Sequence, residues 1–177
     1  MVSSGTAGGT LVVEVAAIGL GSNLASELPQ GREGNLREAI RQVGSLGRVK
    51  AISSFYDTAP VGVVEQPRFL NGAMLLETSR GPLELMRELL KIEQAMGRER
   101  TVPNGPRVID LDLLLYGMAE IDIDELTVPH PAMQERGFVL EPLSEIAPAM
   151  VHPVLGLTVG EMLGRLKRWE LENGVLG

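Results

Sequence analysis

Cysteine is absent from this chain of 177 residues, and aromatic side chains are few: one Trp, two Tyr and three Phe. Without thiols the fold holds no disulfide and no thiolate metal site, so packing must hold it, and a reducing compartment suits it. Cations are also outnumbered. There are 16 Lys and Arg against 23 Asp and Glu, a net charge of -7, which argues against a nucleic-acid surface, where cations displace counterions from the phosphate backbone. Long apolar runs are missing too: residues 11–20 are mostly apolar but are interrupted by Glu14 and follow no basic segment, so neither a signal peptide nor a membrane span is expected. We therefore expect a cytoplasmic, monomeric protein with neither nucleic acid nor membrane as partner. Residues 1–10, rich in Gly, Ser and Thr, read as a flexible leader, and residues 11–177, with 44% of the chain hydrophobic, as a single domain with a sizeable core.

The periodicity orders that domain. Residues 12–18 read as a strand halted at Gly19-Leu20-Gly21. Asn35 reads as an N-cap, with Glu38 three residues on and Leu36, Ala39, Ile40 and Val43 at helical spacing up to Gly44. Residues 48–56 and 71–78 read as strands joined by a loop long enough to be suspected of function. Pro82 opens a second helix with Leu83, Met86, Leu89, Leu90 and Met96 on its apolar side, ended by Gly97. A strand over residues 110–116 follows, with an extended piece at 120–124 expected to pair with it. Thr158 and Glu161 form a capping-box pattern for a last helix whose stripe is Val159, Met162, Leu163, Leu166 and Trp169. Strand, helix, strand, strand, helix, strand is the split βαβ order, which predicts an α+β, ferredoxin-like antiparallel sheet with both helices on one face and C-terminal additions.

The chemistry-bearing stretch runs from Gly97-Arg98-Glu99-Arg100 to Gly105-Pro106-Arg107 and Asp110-Leu111-Asp112. On a strand, Asp110 and Asp112 share a face. Alone, Asp-x-Asp reads more readily as solvated edge-strand acids than as a metal site. Beside three arginines and a Gly- and Pro-bearing loop, it reads as a pair that a hard divalent cation neutralises, with magnesium favoured because it takes few carboxylates and fills its shell with phosphates and water. Guanidinium forks suit phosphate oxygens, so Arg98, Arg100 and Arg107 point to a polyphosphate substrate and a closing lid; the bland alternative is a solvated face paired with Glu93, Glu99 and Glu77.

A second constellation is Phe69, Asn71 and Phe138. Both rings could be core, but each adjoins an irregular segment, where a planar heterocycle could stack between them while the Asn71 amide reads its edge. His130, between Pro129 and Pro131, reads by itself as a turn histidine, and His152 as structural. Gly19-Leu20-Gly21 lacks the third glycine of a dinucleotide fingerprint.

These residues fall within a longer set of words. Ala17-Ile18-Gly19 with Gly21-Ser22-Asn23-Leu24, Ser53-Ser54-Phe55-Tyr56 with Thr58-Ala59-Pro60, Gln66-Pro67-Arg68-Phe69-Leu70-Asn71, Ile92-Glu93 with Gly97-Arg98-Glu99-Arg100, Gly105-Pro106-Arg107 with Asp110-Leu111-Asp112, and Val128-Pro129-His130-Pro131 with Arg136-Gly137-Phe138 stand in that order. Over roughly residues 14–155 the chain resembles the 6-hydroxymethyl-7,8-dihydropterin pyrophosphokinases of folate biosynthesis. The resemblance implies a ferredoxin-like fold and an ATP-dependent diphosphotransferase with ATP and 6-hydroxymethyl-7,8-dihydropterin as substrates, AMP and the pterin diphosphate as products. It implies that Asp110 and Asp112 hold two Mg²⁺ ions on the ATP phosphates, with Glu93, Arg98, Arg100, Arg107, His130 and Arg136 on the ATP side and Arg98 and Arg100 acting in catalysis. It also implies that Phe69 and Phe138 sandwich the pterin, Asn71 binds its polar edge, and Thr58, Ala59 and Val61 line that pocket. Members of the family often carry Trp where this chain has Asn104, and some carry Tyr and Arg where it has Pro131 and Glu125. Two rival readings of the acids are a metal-dependent glycosyltransferase, for whose doubly wound domain there is little room, and a non-catalytic nucleotide sensor.

Overall fold

A computed structural model describes residues 12–23, 31–58, 69–97 and 108–174 of the protein. In chain order the described elements are β1 (Glu14–Asn23), α1 (Gly31–Val43), β2 (Arg48–Ile52), β3 (Tyr56–Thr58), β4 (Phe69–Thr78), α2 (Pro82–Met96), β5 (Asp110–Tyr116), β6 (Ile121–Ile123), β7 (Leu126–Val128), α3 (Gly137–Ile146), β8 (Val151–His152), β9 (Leu157–Thr158) and α4 (Val159–Glu172). The main sheet runs β2-β4-β1-β5, antiparallel throughout, with β3 also paired to β4. This is the ferredoxin-like order expected from the split βαβ pattern.

Alternation along the strands divides the core between the two faces of that sheet. Ile18 and Leu20 of β1, Met74 and Leu76 of β4, and Leu111 and Leu113 of β5 join Leu36, Ala39 and Val43 of α1 and Leu85, Leu89 and Ile92 of α2 in one buried cluster. Each of these side chains larger than alanine contributes about 1.5–3 kcal/mol by leaving water. Ala17, Ala73, Leu114 and Leu115 meet Leu140 and Leu143 of α3 and Val159 and Met162 of α4 in a second cluster on the opposite face. A bulge in the β1–β5 register between Ala17 and Ile18 brings Leu114 and Leu115 together into this second cluster. The C-terminal additions thus close the face that a bare split βαβ unit leaves open.

Helix ends follow local chemistry. α2 starts at Pro82, whose missing N–H costs nothing in the first turn. α4 carries the expected capping box: Glu161 N–H donates to Thr158 Oγ1 (3.1 Å) and Thr158 N–H to Glu161 Oε1 (2.8 Å).

Four local expectations are corrected. The glycines do not halt β1, which runs through them to Asn23. Asn35 is no N-cap; it lies inside α1, wholly buried, because its amide has a better use in the interior, donating to Ser22 Oγ (3.2 Å). The extended piece after β5 pairs with β7 in its own two-stranded ribbon, not with β5. Leu90 and Trp169 are 44% and 56% exposed, because α2 turns Leu85, Leu89 and Ile92 inward and α4 turns Val159 and Met162 inward. Among the described residues, no helix is long and apolar enough to cross a membrane. The expected leader, residues 1–10, lies outside the described residues.

Candidate active site

The candidate site lies on the α3/α4 side of the sheet, beyond its apolar cluster. β5 alternates there: Leu111 and Leu113 are buried against α1 and α2, while Asp110 is half-buried and Asp112 exposed on the other face. Across the β1–β5 ladder, Asp110 stands opposite Gly21 and Asp112 opposite Gly19. Neither neighbour carries a side chain, so β1 itself sets none beside the carboxylates.

On the other flank of β1, Gly21 stands opposite Asn71 and Asn23 opposite Phe69. A Cβ placed on Gly21 would lie 3.1 Å from Asn71 Oδ1, 3.9 Å from Asp110 Cβ and 4.0 Å from Phe69 Cδ1. One position without a side chain is therefore ringed by the amide and the aromatic ring of one expected constellation and an acid of the other. β3 extends this wall, with Tyr56 opposite Asn71 and the Thr58 backbone opposite Phe69.

The start of β5 is tied down from the α1/α2 side. Glu93 of α2 accepts the Leu111 N–H at 2.6 Å, between the two aspartates. Ser22, wholly buried, donates to the Val108 carbonyl at 2.7 Å while accepting from Asn35. Buried polar groups of this kind must be partnered, and here the partners fix where β5 begins.

His130 runs beside the outer edge of β5, its N–H donating to the Leu114 carbonyl at 2.9 Å. Burial pushes its imidazole below the ordinary value of 6.5; Asp112 acts to raise it and Arg136 to lower it. At neutral pH the ring is thus neutral, with one N–H to give. Its Nδ1 is buried without a hydrogen-bond partner among the described residues. Arg136 sits 5.8 Å from the centroid of the Phe138 ring, which opens α3 and is 37% exposed, more than a core role requires. A cleft of about 480 Å³ adjoins His130, with Asp122, Thr127, Pro131, Gln134 and His152 in its walls. Glu125 takes no part in it and is paired with Arg87 at 2.7 Å.

Among the described residues no group of three or more His, Asp and Glu side chains is placed to hold a metal ion. The donor set that fits one is the Asp110 and Asp112 pair, all oxygen, on one face of β5 and opposite two glycines of β1. Two carboxylates suit magnesium, which leaves its remaining positions to water and phosphate oxygens, and they are too few for a calcium cage.

Asn71, Phe69 and Asp110 therefore come together around Gly21; Asp112, His130 and Arg136 are linked electrostatically; Glu93 holds the strand between the acids. Arg98, Arg100, Arg107, Ala59 and Val61, with Asn104, lie outside the described residues. Sequence reasoning missed the Tyr56 and Glu145 pair described below, and Ser22. Tyr56 and Ser22 stood within the quoted words, but their partners lie 89 and 86 residues away, a distance that no local pattern spans.

The family model for 7,8-dihydro-6-hydroxymethylpterin-pyrophosphokinase (HPPK) matches residues 17–148. The 2-amino-4-hydroxy-6-hydroxymethyldihydropteridine pyrophosphokinase of Synechocystis is 41% identical over 150 residues, 84% of this chain and 74% of that protein. The Bacillus subtilis protein of the same name is 44% identical over 134 residues, 75% of this chain and 77% of that protein. Folic acid synthesis protein fol1 of Schizosaccharomyces pombe is 37% identical over 155 residues, which cover 86% of this chain but 20% of that longer protein. Among solved structures, a Plasmodium falciparum HPPK-DHPS crystal structure superposes with a TM-score of 0.73 at 17% identity, covering 92% of this chain and 46% of that one; it speaks for the fold. With the family model spanning most of its length and relatives above 40% identity, the chain belongs to the 7,8-dihydro-6-hydroxymethylpterin-pyrophosphokinase family.

Proposed function

We propose that the residues around Gly21 and along β5 carry out the reaction that family membership assigns to this chain: transfer of pyrophosphate from ATP to the hydroxymethyl group of 6-hydroxymethyl-7,8-dihydropterin. The substrate hydroxyl oxygen attacks the β-phosphorus in line and gives up its proton to solvent. The bond from that phosphorus to the oxygen bridging the α-phosphorus breaks, and AMP leaves with the electron pair. No protein nucleophile is needed.

The observation that carries this reading is the meeting of Asn71, Phe69 and Asp110 at a position with no side chain. Phe69 offers a ring face to a pterin, and the Asn71 amide offers both a donor and an acceptor to its edge. Phe138, exposed at the start of α3, is the second ring of the proposed sandwich, with Thr58, Ala59 and Val61 as lining. The carboxylates stand one strand away, so a hydroxymethyl group reaching from the pterin points toward whatever they hold. Asp110 and Asp112 are the groups that would hold magnesium, two ions in the reading favoured here, and magnesium supplies charge neutralisation on the phosphates and alignment of the entering and leaving oxygens when bound. Neutral His130 can donate to a phosphate oxygen without competing for the metal site. Arg136 adds a fixed positive charge, and Arg98, Arg100 and Arg107 close on the triphosphate; Arg98 and Arg100 tighten in the transition state. The His130 cleft offers room for the base and ribose.

We place the reaction in the cytoplasm, in a monomer without nucleic-acid or membrane partners; the absence of cysteine and the net charge of -7 support this. The test of the function is product analysis after incubation with ATP, Mg²⁺ and the reduced hydroxymethyl pterin. AMP and a pterin diphosphate in equal amounts are expected. ADP as the product makes the chain an ordinary kinase, and no turnover removes the catalytic reading.

A further inference from the structure

Glu145 has no part in the roles assigned so far. It lies on α3, seven residues and two helical turns after Phe138, so the two side chains share a helix face. Its carboxylate is fully used. The Ser54 N–H reaches both oxygens at 3.1 Å, the Ser54 hydroxyl donates to Oε2 at 3.0 Å, and the Tyr56 hydroxyl donates to Oε1 at 2.8 Å.

The donors and the acceptor belong to opposite walls of the proposed pterin site. Tyr56 pairs with Asn71 and, two residues on, Thr58 pairs with Phe69, so β3 backs the wall that carries the amide and the first ring. Glu145 belongs to the helix that carries the second ring. We propose that Glu145 is a positioning residue for the pterin: it docks α3 on β3 and so sets the gap between Phe138 and the Phe69–Asn71 wall.

Stability alone does not account for this arrangement. Glu145 and Ser54 are both exposed, and hydrogen bonds made in water's company each add little to the unfolding free energy. Their effect falls on geometry, where shifts well under a ring's thickness decide whether a planar ligand can stack. The hydrogen bond also keeps both partners in the right states, holding the Glu145 carboxyl below and the Tyr56 hydroxyl above their ordinary values.

The proposal rests on the reading of Phe69, Asn71 and Phe138 as pterin contacts, so the experiment includes a variant for each level. Affinity for 6-hydroxymethyl-7,8-dihydropterin is measured in the presence of Mg²⁺ and a non-hydrolysable ATP analogue for the wild type, Glu145→Ala, Glu145→Gln, Tyr56→Phe and Phe69→Ala, with nucleotide affinity and thermal unfolding in parallel. Glu145→Ala is expected to weaken pterin binding about tenfold with nucleotide affinity and unfolding temperature essentially unchanged, and Glu145→Gln to recover part of the loss because its amide oxygen still accepts. Tyr56→Phe should fall between them. Undiminished pterin affinity in Glu145→Ala, while Phe69→Ala loses it, overturns the positioning role. A uniform loss of pterin and nucleotide affinity with a lowered unfolding temperature overturns it as well, by making Glu145 a general structural residue. Unchanged binding in Phe69→Ala removes the pterin reading itself and the proposal with it.

Discussion

The two faces of the main sheet use the same strands for opposite purposes. Toward α1 and α2 the inward positions of β1, β4 and β5 are mostly apolar and closed, and the buried Ser22 and Thr78 on that face are both hydrogen-bonded. On the opposite face the strands begin the same way, with Ala17, Ala73 and Leu114 under α3 and α4, but then change to Gly19, Gly21, Asn71, Phe69, Asp112 and Asp110. Adjacent residues of β5 therefore serve different ends: Leu111 and Leu113 are buried, and the aspartates beside them are not. Strand alternation lets a rigid, well-packed surface carry polar groups at fixed spacing, because each charged side chain stands between two anchored ones.

Substitutions that separate the faces should separate activity from stability. The largest effect is expected from Asp110→Ala and Asp112→Ala, each lowering turnover by about 10³-fold or more, as loss of a charge-stabilising group does, with thermal unfolding no less cooperative and at no lower temperature than in the wild type. On the closed face Leu89→Ala removes a side chain that is 1% exposed and should cost about 2–5 kcal/mol in denaturant unfolding, while the folded fraction keeps its turnover. A loss of activity from Leu89→Ala exceeding its loss of folded protein would blur the division.

Gly21→Ala tests the boundary between the faces. Its new methyl would meet Asn71 Oδ1 at 3.1 Å, tighter than ordinary packing, so the amide must give way; pterin affinity should fall about tenfold with ATP affinity kept. An unaltered pterin affinity would mean that Asn71 has no fixed role.

The smallest effect belongs to His152, in the wall of the His130 cleft and outside the main sheet. It is buried, its Nδ1 accepts the Leu155 N–H at 3.1 Å, and burial holds its pKa below the ordinary 6.5. The unfolded chain therefore binds the proton more readily, so His152's contribution is complete above that ordinary value and declines as pH falls below it. Between about pH 8 and pH 5, the fall in unfolding temperature should be shallower in His152→Gln than in the wild type. Equal slopes would mean the imidazole takes up its proton alike in both states.

Much of this division is legible in the sequence. The Asp-Leu-Asp-Leu alternation placed the acids on one face, Pro82 and the Thr158–Glu161 box placed two helix starts, and the element order predicted the sheet. What failed did so where tertiary contacts outweighed local preference. Gly19 and Gly21 look like strand breakers, yet β1 continues because β4 and β5 pair with it on both sides and the site uses the missing side chains. Asn35 has N-cap chemistry, but a buried hydroxyl on β1 recruits it. The chain after β5 turns back on β7, since a tight hairpin closes more readily than a return to the parent strand. Phe69, Asn71 and Asp110 were each singled out from sequence; that they meet at Gly21 required the register.

The claim on which the rest depends is that Asp110 and Asp112 hold a divalent cation against the phosphates of ATP. Electron paramagnetic resonance with Mn²⁺ in place of Mg²⁺, and a non-hydrolysable ATP analogue present, measures this directly in the wild type and in Asp110→Asn and Asp112→Asn. The account predicts protein-bound Mn²⁺ in the wild-type ternary complex and its loss from the protein in both variants. Equal Mn²⁺ binding in all three proteins would contradict it.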